Sequence, residues 1–293
     1  AGWHHMAAET GSKILESQAF DNHAIDALPP LKQLVAALDM RARKSLGQNF
    51  LFDLNLTRRI AQSAGRLDGT TIEVGPGPGG LTRALLLEGA QKVVAVEKDF
   101  RASSVLASLL EAAGDRLQLV EGDALKTPLW EMGDAPRRIV ANLPYNIATT
   151  LLIQWLGHAT AFQTMTLMFQ REVAERITAQ PGDSAYGRLS ILTGWIADST
   201  ILFDIPPEAF VPAPKITSSV VQIRPLAEPR FPCDRTALET VTRIAFGQRR
   251  KMLRASLKPI GGETLLTEAG IDPQCRPQDL DIEAFCRLAR AIS

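Results

Sequence analysis

The chain has little cysteine, tyrosine or histidine and no net charge. Its three cysteines, Cys233, Cys275 and Cys286, form no C-x-x-C pair and leave an odd count. That excludes a disulfide framework and a structural metal site, and predicts reduced thiols in a cytoplasmic protein. No apolar run approaches the ~20 residues of a membrane span, so no membrane association is expected. Four histidines offer no general base: His4 and His5 precede Met6 or lie close to it, His23 sits in a polar tail, and His158 near a helix end has a structural place. The 32 acidic and 32 basic residues cancel. A neutral average argues against a nucleic-acid partner, but clusters decide that question.

What is present begins with apolar content. At 293 residues, 45% of them hydrophobic, the chain can bury a large core in one large and one small domain. Ala1 to His5 read as an expression-tag remnant ahead of a native Met6. Residues 7–28 are polar, carry Glu9, Glu16, Asp21 and Asp26, and lack both a transit-peptide and a secretory pattern; partial disorder is expected there. The run from Leu31 to Met40 predicts a short amphipathic helix that caps the catalytic domain or covers its cofactor. Seven strands are predicted, at 72–74, 93–96, 117–120, 139–141, 165–169, 200–203 and 219–223. Helical stretches separate the first five, and a Pro-rich segment too short for a crossover helix joins the last two. The pattern predicts an α/β doubly wound sheet whose last strand runs antiparallel.

Asn142-Leu143-Pro144-Tyr145 closes the fourth of these strands. An Asn side-chain carbonyl and a backbone carbonyl beside a proline both accept hydrogen bonds from an exocyclic amine. The amine nitrogen then moves towards sp³ geometry and aims its lone pair at an electrophile, while the tyrosine ring stacks on the base. N6-adenine methylation needs those features. The same four residues also suit a plain turn after a strand.

The first strand leads through Glu73 into a turn that carries Gly75, Gly77, Gly79 and Gly80, and Glu97 ends the second. Gly75, Gly77 and Gly80 satisfy G-x-G-x-x-G, so a dinucleotide site of a dehydrogenase would look much the same. Glycines admit a nucleoside close to the backbone, and a carboxylate accepts both ribose hydroxyls. Glu73 suits a cationic amino-acid end better than a pyrophosphate. Asp123 ends the third strand, where it can accept an adenine amine.

Three acids closing three successive strands, with Asn142 to Tyr145 closing the fourth, resemble the class I S-adenosylmethionine-dependent methyltransferases. Lys44-Ser-Leu-Gly-Gln48-Asn49-Phe50-Leu51 and Phe210-Val-Pro212-Ala-Pro214-Lys215-Ile-Thr-Ser218 narrow the resemblance to the bacterial small-subunit ribosomal RNA adenine dimethyltransferases, from about Arg43 to the C-terminus. The resemblance implies a Rossmann-like seven-stranded methyltransferase domain over 41–228, after an extension over 1–40, and a small all-α RNA-binding domain over 229–293. It implies S-adenosyl-L-methionine as methyl donor, no metal, and the small ribosomal subunit with its rRNA as partner of a monomeric enzyme.

By that resemblance Asn49 and Leu51 hold the methionine end of the cofactor, and Gly75 and Gly77 admit its close approach. Glu97 takes the ribose and Asp123 the adenine. Asn142 and Pro144 serve the target amine, Asn142 also touching the cofactor. Tyr145 and Phe210 stack on the two faces of the flipped base, which helps offset the few kcal/mol that unstacking it costs. The residue after Asn142 is Leu rather than the Pro common in DNA adenine methyltransferases, which points to RNA enzymes. Resistance enzymes acting on large-subunit rRNA share much of this motif, and an assembly factor that binds RNA with catalysis secondary is a further reading.

From Arg243 to Lys258 the chain carries six bases and no acids. Arg250, Arg254 and Lys258 are spaced i, i+4, i+8, which predicts one basic helical face with Leu253 and Leu257 turned inward. Together with Arg249 and Lys251 they form a candidate phosphate-contact surface; the bland alternative is a solvated helix face. Tyr186 to Arg188 are expected in a loop over the active site, and Lys215 in phosphate contact or free in solvent.

Overall fold

The computed structural model describes residues 20–293. The tag remnant and most of the polar extension lie outside the described residues. Residues 20–28, the end of the stretch where partial disorder is expected, pack onto the domain. A short helix α1 (His23–Asp26) buries Ile25, and Arg116 donates to Asn22 Oδ1 at 2.9 Å. Helix α2 (Leu31–Ala37) follows. It lies against the glycine turn, with Leu31 Cδ1 only 3.2 Å from where a Cβ on Gly80 would stand. Arg83 donates to the Pro29 carbonyl just before it, at 2.9 Å.

All seven predicted strands form one sheet: β2 (Thr70–Val74), β3 (Lys92–Glu97), β4 (Leu117–Glu121), β5 (Arg137–Asn142), β6 (Thr164–Gln170), β7 (Ala197–Ile205) and β9 (Ser218–Pro225), in the order β4-β3-β2-β5-β6-β9-β7. The pairs β4–β3, β3–β2, β2–β5 and β5–β6 are parallel, and β9 inserts antiparallel between β6 and β7. Alternate residues of one strand point to opposite layers, and the central strands are apolar on both sides, as parallel strands covered by helices must be. Thus Ile139 and Ala141 join one core and Val140 the other. Helices α3 (Leu54–Ser63), α4 (Gly80–Leu87) and α5 (Ala102–Ala113) cover the second face. Helices α6 (Ala148–Leu156), α7 (Arg171–Thr178) and α8 (Arg188–Ile196) cover the first. Asp53 caps α3 by accepting from the Asn55 N–H at 2.9 Å.

The sequence did not reveal a second, two-stranded ribbon. β1 (Phe50–Leu51) pairs antiparallel with β8 (Phe210–Val211), Phe50 opposite Val211 and Leu51 opposite Phe210. It joins segments about 160 residues apart, and two-residue strands leave no periodic signal.

After residue 229 the chain forms α9 (Arg235–Gly247), α10 (Leu253–Ser256), α11 (Gly262–Glu268) and α12 (Ile282–Ile292). Their apolar faces, with Leu238, Leu266 and Phe285 among them, continue the core of the α6–α8 layer. The single basic helix expected over 243–258 does not form. α9 stops at Gly247, the chain turns, and α10 starts where the Leu253 N–H bonds the Cys275 carbonyl at 2.8 Å and the Arg254 N–H that of Pro273 at 3.1 Å. These long-range bonds and Pro259 override local helical spacing. Leu253 and Leu257 are nonetheless buried, as expected. All three cysteines are free, and His158 stacks on Trp130 with ring centres 3.7 Å apart.

Candidate active site

Glu73, Glu97, Asp123 and Asn142 come together at the carboxyl rim of the parallel strands, where β2 neighbours both β3 and β5 and the sheet changes winding direction. Gly75, Gly77 and Gly79 all adopt positive φ, which only glycine does without strain. The turn they make draws β1 in tightly. A Cβ on Gly77 would stand 3.1 Å from the Phe50 ring, and one on Gly80 would be 2.3 Å from the Leu51 carbonyl oxygen.

Two adjoining clefts result. One is lined by Asn49, Leu51, Glu73, Gly80 and Asn142; the other by Gly75, Gly77, Glu97, Asp123 and Pro144. Phe50 borders both. The acids match an elongated ligand with a cationic end and a nucleoside end. A roomier cleft of about 570 Å³ between α7, β7 and the start of α12 holds none of these residues.

Each acid has its own environment. Glu73 is 1% exposed and accepts a short hydrogen bond from the Thr82 hydroxyl. Burial pushes its carboxyl up to about 8; the Thr82 bond opposes this and the Glu97 charge adds to it. Thr82 itself carried no signal in the sequence beyond lying three residues past Gly79. Glu97 accepts from the Gly77 N–H at 3.0 Å and the Asp99 N–H at 2.9 Å, so it is locked to the glycine turn. Burial raises its pKa against those bonds. Asp123 accepts from the Leu125 N–H at 3.0 Å and faces Lys98 at 3.5 Å.

Asn142 Nδ2 donates to the Asn49 backbone carbonyl at 3.0 Å. This leaves its Oδ1 as an acceptor in the cleft it lines with Asn49 and Glu73. The Pro144 carbonyl accepts from the Ile147 N–H at 3.2 Å. The half-buried Tyr145 hydroxyl shares a short hydrogen bond with Ser218 at the start of β9, and burial raises its pKa. The two motifs, far apart in sequence, are therefore bonded to each other.

A family model described as ribosomal RNA adenine dimethylase matches residues 39–293. A ribosomal RNA small subunit methyltransferase A from Sinorhizobium medicae is 56% identical over 273 residues, covering 92% of this chain and 99% of the relative. Another of that name from Rhodospirillum rubrum is 54% identical, covering 91% and 93%. The chain belongs to the ribosomal RNA adenine dimethylase family. Among solved structures, a dimethyladenosine transferase from Plasmodium falciparum superposes with TM-score 0.69 at 27% identity, covering 82% of this chain and 95% of that one. The 23S rRNA methyltransferase ErmE gives 0.62 at 28% identity, covering 83% and 99%.

Within this dimethylase the remaining sequence-predicted residues fall unevenly. Phe210 is 2% exposed and packs in the α3–α5 core beneath its β1 partner Leu51; it presents no open stacking face in this arrangement. Arg249 turns inward. Its guanidinium donates to the Tyr186 carbonyl and, at 2.8 Å, to that of Ser184. Tyr186 is not in an open loop over the site: it is 1% exposed, donates to the Leu280 carbonyl at 2.7 Å and packs edge-on against Phe246. Arg249 and Tyr186 therefore fasten the 183–187 segment to the C-terminal helices. Arg250, Lys251, Arg254 and Lys258 are exposed, and none is in an ion pair among the described residues. Lys215 is exposed as well. No cluster of acids, histidines and cysteines able to hold a metal is found among the described residues, and no described helix is long and apolar enough to cross a membrane.

Proposed function

We propose that this dimethylase transfers methyl groups from S-adenosyl-L-methionine to the N6 amines of two adjacent adenosines near the 3′ end of small-subunit rRNA, giving N6,N6-dimethyladenosine. It acts as a cytoplasmic monomer in small-subunit biogenesis. The observation that carries the reading is the Asn142–Asn49 bond. With Nδ2 fixed, Asn142 offers only its carbonyl to the cleft, and a carbonyl there selects an amine donor.

The cleft fits the methyl donor. Glu73 and Asn49 suit its amino-acid end, Leu51 and Gly80 close the wall beside it, Glu97 faces the ribose, and Asp123 with Lys98 borders the adenine. When bound, the donor supplies an electrophilic methyl group on a sulfonium.

The chain's own residues then hold the target. The Pro144 carbonyl already accepts from the Ile147 N–H, so Asn142 Oδ1 and the carbonyl of Leu143, beside that proline, accept the two amine hydrogens, which turns the nitrogen lone pair towards the methyl. Tyr145, held by Ser218, stacks on the base. Alignment of a good donor with a positioned nucleophile recovers roughly 7–11 kcal/mol of barrier, so no general base is required. The methylated amine releases its proton to water or to a backbone carbonyl. The helices after residue 229 contribute Arg250, Lys251, Arg254 and Lys258 to phosphate contacts.

Nucleoside mass spectrometry tests this directly. Small subunits from a strain lacking the modification, incubated with protein and S-adenosylmethionine, should gain N6,N6-dimethyladenosine in about two copies per subunit, one per target adenosine. Methylation of large-subunit RNA alone would assign the ErmE-like reaction. No methylation of either, with binding retained, would make the protein an assembly factor.

A further inference from the structure

Residues 41–48 and the loop after β3 are tied into one surface beside the nucleoside cleft. Asp99, 4% exposed, accepts from Gln48 Nε2 at 2.9 Å and from Arg101 Nε at 2.9 Å. Arg101 Nη1 donates to the Arg41 carbonyl at 2.8 Å, and the Arg43 N–H donates to Gln48 Oε1 at 2.7 Å. The network stands on Glu97, whose Oε1 takes the Asp99 N–H. Although burial alone would raise it, the Arg101 and Gln48 bonds hold the Asp99 carboxyl down at about 2, so the brace stays charged and closed.

Outside this brace the chemistry differs. Phe100 is 71% exposed, more than any other large apolar side chain among the described residues, with the Arg43 guanidinium carbon 6.0 Å from its ring centre. Arg41, Arg43 and Lys44 are all exposed on the segment that the brace ties to the Phe100 loop. Arg41 meets only the exposed Asp39, while Arg43 and Lys44 are in no ion pair among the described residues. One ring offers too little apolar area to seat a protein. An open aromatic beside a cation instead matches a nucleobase on its face with phosphates next to it. The patch belongs to the α3–α5 side of the sheet, whereas Arg250 to Lys258 come from the opposite layer. An RNA crossing the rim at Asn142 would meet cations from both sides.

We propose that Arg41, Arg43, Lys44 and Phe100 form a second RNA contact, which takes a single-stranded segment of the substrate with one base stacked on Phe100. This rests on the reading of the substrate as small-subunit rRNA. The Gln48–Asp99–Arg101 brace holds the patch in register with Glu97, so that RNA docking and the cofactor cleft share one rigid support.

The test compares Phe100→Ala and Arg43→Ala/Lys44→Ala with the unaltered protein, using small subunits from a strain lacking the modification and, separately, S-adenosylhomocysteine. Loss of one stacked base should weaken subunit binding about tenfold in Phe100→Ala. The double variant should lower the slope of log affinity against log salt by about 0.7 per lost phosphate contact. Affinity for S-adenosylhomocysteine should not change in either. Unchanged subunit affinity and salt slope would overturn the contact. So would a parallel loss of S-adenosylhomocysteine affinity, which would make the patch part of the cofactor cleft. If the unaltered protein itself fails to bind or methylate the subunits while binding S-adenosylhomocysteine, the rRNA reading falls and the contact with it.

Discussion

The Asn142 side-chain amide donates to the backbone carbonyl of Asn49 across 93 positions of sequence. One bond thereby fixes which end of the Asn142 amide faces the cleft, and ties the end of β5 to the residue just before β1.

Asn142→Ala should abolish methyl transfer, with a fall of at least about 10²-fold in the single-turnover rate, the usual effect of removing one positioned polar group. Subunit affinity should stay near that of the unaltered protein, since phosphate contacts dominate it. Substantial residual transfer would mean that Asn142 does not select and orient the target amine.

Glu73 should make cofactor binding pH-dependent. Burial pushes its folded carboxyl up to about 8, which favours the protonated form near neutrality, and pairing with a cationic amino group requires the proton to leave. Cofactor affinity should rise by up to roughly tenfold per pH unit below that value and then level off. Calorimetry in buffers of different ionisation heat should show proton release at pH 7. Without cofactor the sign for stability is opposite: a carboxyl raised from 4.5 to about 8 stabilises the fold at low pH, and that contribution is lost as pH rises through this window. Glu73→Gln should flatten both profiles.

Tyr145→Phe keeps the ring and loses only the bond to Ser218, so a modest, few-fold fall in kcat/KM is expected. Tyr145→Ala removes the stack and should cost about 1–3 kcal/mol of transition-state stabilisation. Equal effects of the two substitutions in a steady-state assay would mean the hydroxyl, not the ring, is what matters.

Gly80→Ala puts a methyl 2.3 Å from the Leu51 carbonyl oxygen. The β1 strand must move, at a cost of about 1–3 kcal/mol in stability, and the cleft lined by Leu51 and Glu73 moves with it. Thermal unfolding and S-adenosylhomocysteine titration should both report the loss.

Arg249 separates from its basic neighbours. Arg249→Ala should lower the melting temperature, because the Tyr186 and Ser184 carbonyls lose their donor. Arg250→Ala and Arg254→Ala should leave it unchanged, but each should reduce the salt slope of subunit binding by about 0.7–0.9.

Local grammar decided much of this molecule. Each apolar run followed by an acid became a strand with its carboxylate at the rim, because a strand followed by a glycine turn or a short loop carries its own instructions. For that reason Glu73, Glu97, Asp123 and Asn142 were legible in the sequence alone, as were the seven strands and the inward faces of Leu253 and Leu257. Only the tertiary structure decided that Phe50 and Leu51 pair with Val211 and Phe210, that Asn142 bonds Asn49, and that Tyr145 bonds Ser218. Such pairings bridge distant segments and leave no period in the sequence. The same reason explains why the surroundings of two candidate residues could not be read from the sequence. Arg249 has the sequence context of a phosphate-binding base, yet the carbonyls of residues 184 and 186 draw it inward. Phe210 sits in a motif that suggests an open stacking face, yet the ribbon with Leu51 buries it.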